Sequence, residues 1–63
     1  MNKDEHRIRA GLTKEIGDVE SALSDSYNNL KFINEEGLVD FYVYMIKAYE
    51  SKHRYLLRKL KEI

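Results

Sequence analysis

LVDFYVYMIKAY, residues 38–49, decides the fold. Within it Val39, Tyr42, Ile46 and Tyr49 recur in steps of three and four, the period of one buried stripe on a helix. Leu38, Phe41, Met45 and Ala48 form a second stripe beside the first, and Val43 and Tyr44 widen the apolar surface. A single partner helix covers one stripe. The second predicts a further neighbour.

Downstream, the first stripe continues through His53, Leu56, Leu60 and Ile63, whereas the second runs into Lys52 and Tyr55. A second helix is therefore expected over about residues 38–62, roughly 37 Å long at 1.5 Å per residue. Upstream, Leu12, Ile16, Val19, Leu23, Ser26, Leu30 and Ile33 mark a first helix, about 12–33, with one seam that Ser26 interrupts. Gly17 lies beside that seam, and a glycine inside a helix costs roughly 1 kcal/mol against alanine.

Between the two, Asn34, Glu35, Glu36 and Gly37 break the pattern. Asn and Gly tolerate a left-handed backbone at a helix end, and carboxylates suit the positive N-terminus of the next helix. A loop over about residues 34–37 makes the helices antiparallel neighbours. Residues 1–11 are polar, with His6 and Ile8 as candidates for contact, and are expected to be frayed or flexible. Their polarity disfavours a three-helix monomer.

The expected architecture is all-α: one domain over residues 1–63, an antiparallel two-helix hairpin, coiled-coil-like, that dimerises into a four-helix bundle. Folding the seams together about the loop places Leu30 near Tyr42, Ser26 near Ile46, Leu23 near Tyr49, Val19 near His53, Ile16 near Leu56 and Leu12 near Leu60. The same register brings Asp25 toward Lys47, Glu20 toward Lys52 and Asp18 toward Arg54, pairs worth about a few tenths of a kcal/mol each when exposed. The candidate partner or dimer interface is Leu38, Phe41, Tyr42, Tyr44, Met45 and Tyr49. The hairpin itself accounts for Tyr42, Ile46 and Tyr49, so Leu38, Phe41, Met45 and Tyr44 remain to be covered. Tyrosines suit such a role, because an apolar ring with a polar tip serves at an interface.

Composition points the same way. A chain of 63 residues buries only about 60% of the surface its unfolded state exposes, which makes the core marginal. Small scaffolds rely on disulfides, metals, oligomerisation or dense helix packing. With no Cys, disulfides and thiolate zinc sites are excluded. The net charge is zero, with 11 basic and 11 acidic residues, so nothing global draws the chain to polyanions. No run of 18 apolar residues occurs, and a soluble, cytoplasmic protein is expected.

Chemistry finds little support. Glu50 and His53 stand in the Glu-x-x-His order of di-iron bundles, but such sites need the motif twice with further inward carboxylates, and the first helix places no Glu on its seam. His53 reads instead as a seam histidine hydrogen-bonded within the interface, with a pH-sensing role as the alternative. No Gly-rich phosphate loop is present, and two helices offer no volume from which water is excluded around a substrate. A non-enzymatic chain without metal or cofactor is expected, acting as a protein–protein interaction or regulatory module through the apolar face of the second helix.

The alternative is a weak nucleic-acid-binding face formed by Lys52, Arg54, Arg58, Lys59 and Lys61. Basic residues near a helix C-terminus are also favoured by the macrodipole. Acidic residues on the first helix further suggest a paired, solvated face, which disfavours nucleic acid and an anionic membrane as partners.

The run from Phe32 to Ile63 resembles the YaaL-like family of small proteins from spore-forming and related Gram-positive bacteria. The resemblance rests on Leu38, Val39 and Asp40, the alternation Phe41, Tyr42, Val43, Tyr44, then Ala48 and the closing Arg54, Tyr55, Leu56, Leu57, Arg58. Members often carry Asp-Pro at the helix–helix turn, where this chain has Glu35 and Glu36. The resemblance implies a short helical protein and supplies no catalytic residues. The short aspartyl-phosphate phosphatases of sporulation control are a poorer fit. Their second helix carries Ser-Gln-Glu-Leu-Asp, whereas Ser51 here is followed by Lys52, His53 and Arg54.

Overall fold

The computed structural model describes residues 2–63, which form two α-helices and no strand. Helix α1 spans Lys3–Lys31 and α2 spans Glu36–Lys61. They pack against each other as a hairpin measuring 50 × 14 × 11 Å along its principal axes.

Helix α1 starts at Lys3, well before Leu12, and most of the segment expected to be frayed is helical; Met1 of that segment lies outside the described residues. A cap explains the early start. Asn2 has an extended backbone, and its side-chain oxygen accepts the Glu5 N–H at 2.8 Å. That bond satisfies one of the first-turn donors that a helix leaves orphaned. Asp4 and Glu5 add negative charge where the helix dipole is positive. Asn followed three residues later by Glu is a helix-start signal in its own right.

The loop also differs from expectation. It lies earlier than residues 34–37, because α1 stops after Lys31, where the Phe32 N–H donates to the Asn29 carbonyl at 3.1 Å. Helix α2 begins at Glu36, so Gly37 sits inside its first turn. No described residue has a positive φ; the chain therefore turns without the left-handed backbone that Asn34 and Gly37 could have supplied. Extended Glu35 starts α2, its carbonyl accepting the N–H groups of Leu38 at 3.1 Å and Val39 at 3.0 Å.

The seam packs as the spacing predicts. Ile16, Val19 and Leu56 are buried in one cluster, against which Leu12, Leu23, Tyr49 and Leu60 pack. Ile46 and Ser26 are buried nearer the loop. In the heptad abcdefg with the seam at a and d, Ile16 and Leu23 take a, and Leu12, Val19 and Ser26 take d, in α1. In α2, Ile46, His53 and Leu60 take a, while Tyr42, Tyr49 and Leu56 take d. The same stepping carries the α1 seam back through Arg9 and Glu5, both partly buried. The Arg9 Nε is a buried polar atom without a hydrogen-bond partner among the described residues.

The expected cross-helix ion pairs give way to other polar contacts. Glu20 meets His53 at 3.2 Å, Lys52 approaches Glu15 at 4.0 Å, and Asp18 pairs within its own helix with Lys14 at 3.6 Å. No ion pair joins Asp18 to Arg54 or Asp25 to Lys47 among the described residues. The reason is geometric. A shared height along the hairpin does not put two residues on the same side of it: Asp18 and Asp25 hold position c, whereas Lys47 and Arg54 hold position b, on the opposite flank.

Candidate interaction face

In an antiparallel pair, reversing one helix brings position g of each to one flank and position e of each to the other. The e flank is tied across by polar contacts. The Tyr27 hydroxyl donates to Glu50 at 3.5 Å, and His53 Nε2 lies 3.2 Å from Glu20. Glu50 and His53, the one Glu-x-x-His pair, are thereby both engaged with α1. Among the described residues no group of three His, Cys, Asp or Glu is placed to hold a metal ion.

The g flank is different in kind. Three grooves lie along it, each lined by residues at positions c, d and g. The groove nearest the loop, of about 310 Å³, has Ala22, Asp25, Ser26 and Asn29 on its α1 side and Phe41, Tyr42, Met45 and Tyr49 on its α2 side. Small residues face large ones, so the aromatic and thioether side chains stand clear of α1 instead of being covered by it. Ser26 contributes twice. Its short side chain leaves room, and its hydroxyl donates to the Ala22 carbonyl at 2.8 Å, so the groove holds no unmet serine.

The six predicted interface residues are divided by the structure. Tyr42 and Tyr49 lie at d, partly buried in the hairpin seam. Leu38 and Met45 lie at g and Phe41 at c; Phe41 is 51% exposed, Leu38 45%, and Met45 is partly buried. The Phe41 ring meets Tyr42 edge to face, centroids 5.1 Å apart and planes at 82°. This contact couples the open stripe to the seam. Tyr44 is 71% exposed and at position f points away from α1, so it is not part of the groove. On α1, Ala22 and Asn29 were missed as contributors to this side, and just past its end so was the exposed Phe32. Assigning heptad positions to α1 as well as to α2 reveals them, with Phe32 the most exposed at 83%.

The basic residues do not share one face. Lys52 and Lys59 are on the g flank, where Lys52 approaches Glu15 at 4.0 Å and Lys59 meets Glu62 at 3.4 Å. Arg58 and Lys59 each lie 5.8 Å from the centre of the Tyr55 ring, within cation–π range. Arg54 and Lys61 occupy position b on the outer side of α2, with Arg58 beside them at f. Only those three form a common surface, and Arg54 and Lys61 make no ion pair among the described residues.

No helix among the described residues is long and apolar enough to cross a membrane. The chain matches no protein-family model, no curated protein and no solved structure.

Proposed function

We propose that the chain is a small, non-enzymatic interaction module of the cytoplasm that works through the g flank of the hairpin, where two copies meet to form a four-helix bundle. The observation that carries this reading is the open groove lined by Phe41 and Met45, with exposed Leu38 next in line at position g. Surface area supports it. The chain exposes 4996 Å², whereas a compact monomer of 7.5 kDa is expected to expose about 4,200 Å².

Core size argues in the same direction. Among the described residues only Ile16, Val19, Ile46 and Leu56 are buried hydrophobic residues, and no side chain is fully enclosed. A core that thin rarely supports a fold this small without association. On the aromatic block of α2 we further propose membership of the YaaL-like family, which adds no catalytic residue to this reading.

Sedimentation equilibrium at micromolar concentration tests the proposal. A dimer is expected, and a stable, well-folded monomer would overturn it. Replacing Phe41 and Met45 together by Asp is expected to abolish the association, because each carboxylate would have to be desolvated in an apolar contact.

A further inference from the structure

The g flank carries more information than its apolar end, because charge is segregated across it. On α1, positions c and g from Asp4 to Asn29 read Asp4, Ile8, Gly11, Glu15, Asp18, Ala22, Asp25 and Asn29, without a Lys or Arg. On α2 the flank is apolar near the loop and then basic, with Lys52 and Lys59. Its one acid, Glu62, is tied to Lys59 at 3.4 Å. One edge of the flank is acidic, and the other is apolar then basic.

Resting on the dimer proposed above, we infer that the two copies pack g flank to g flank with their loops at the same end, each α1 lying beside the α2 of the other copy. A two-fold axis can relate two such flanks in either of two ways. With the axis along the hairpin, acidic α1 borders basic α2 of the other copy, and Glu15 and Asp18 come level with Lys52 and Lys59. Phe41 and Met45 of both copies then fall at one height, each pair level with Asp25 and Asn29 of the other copy's α1. With the axis across the hairpin, α1 borders α1, and Glu15, Asp18 and Asp25 of one copy line up with the same three acids of the other. That second arrangement also sets Phe41 and Met45 against Lys59, leaving a charge to be desolvated on an apolar surface. Like charges in line oppose association, so electrostatics selects the arrangement with the loops at the same end.

The footprint is sufficient. A flank of 50 × 14 Å gives about 700 Å² per copy, near the lower bound of stable interfaces. The result is an up-down-up-down bundle in which every neighbouring pair of helices is antiparallel.

The absence of Cys makes the test direct. Asn34→Cys in the loop gives a single site for a nitroxide, and pulsed dipolar spectroscopy on the labelled dimer reads the loop-to-loop distance. With helices 8–10 Å apart the expected distance is roughly 10–30 Å. A distance near the 50 Å hairpin length, or no dipolar coupling in a sample that sediments as a dimer, would overturn the orientation. A monomer in the ultracentrifuge would instead overturn the functional reading on which it rests.

A charge-swapped chain removes dependence on the label. With Glu15→Lys, Asp18→Lys, Lys52→Glu and Lys59→Glu together, α1 is basic and α2 acidic, so the chain should self-associate as the parent does. Mixed with the parent it should form no heterodimer, because α1 of each would then border a like-charged α2 of the other. A heterodimer with the parent, which α1 beside α1 would favour, counts against the same-end arrangement.

Discussion

The two flanks of the hairpin are made by the same two helices, yet one is bridged toward the loop and the other, bridged among the described residues only where Lys52 approaches Glu15 at 4.0 Å, is open there. On the e flank, Glu20 reaches His53 at 3.2 Å and Tyr27 reaches Glu50 at 3.5 Å. On the g flank the helices present Ala22, Ser26 and Asn29 to Phe41 and Met45 across a groove. The seam between them holds the chain together through Ile16, Val19 and Leu56, and it is common to both. Helix pairing does not use up the apolar surface: d and a residues close the hairpin, while c and g residues on one side are left over.

The strongest way to break the comparison is to charge the open flank. Phe41→Asp with Met45→Asp is expected to raise the dimer dissociation constant by at least about 100-fold, or 2.7 kcal/mol. Sedimentation equilibrium reads it directly, and an unchanged constant would mean that the g flank is not the contact. Cutting the shared seam should act on folding. Leu56→Ala, at a site only 3% exposed, is expected to lower unfolding free energy by about 2–3 kcal/mol, measured by urea titration at fixed protein concentration.

A smaller and opposite effect is expected at Gly17, on the side away from the groove. A Cβ built there meets nothing within 4 Å, so Gly17→Ala should add about 1 kcal/mol through helix propensity alone. A rise in thermal midpoint with no change in dimer dissociation beyond that gain would fit. The smallest effect belongs to the bridged flank. Tyr27→Phe removes a long, exposed hydrogen bond and should change stability by less than about 0.5 kcal/mol. A larger loss would show that the e flank contributes more than its polar contacts indicate.

Much of the fold is legible in the residues. The steps of three and four from Leu12 to Ile33 and from Val39 to Ile63 place both helices and the seam, and Ile16, Val19, Ile46 and Leu56 are buried where those steps put them. The start of α1 was also written in the chain, in Asn2 and Glu5, but the signal is a cap rather than a period and the polar segment after it hides it. The turn was misplaced because Asn34 and Gly37 could take a left-handed backbone, while the Phe32 and Glu35 backbones turn the chain without one.

The interface set was half legible for a related reason. Tyr44 belongs to the apolar stretch by composition, yet it faces away from α1. Ala22 and Asn29 help shape the groove though neither looks like a contact residue.

The sequence by itself determined the number of helices, their antiparallel course and the excess of apolar surface on α2, because spacing fixes the angle of each side chain about its own helix axis. Only the tertiary structure decided which residues meet across the pair. Glu15 rather than Glu20 approaches Lys52, and Glu20 meets His53, because side as well as height must match once two axes lie together. The open groove is a tertiary feature for the same reason: it exists where small Ala22 and Ser26 on one helix stand opposite large Phe41 and Met45 on the other.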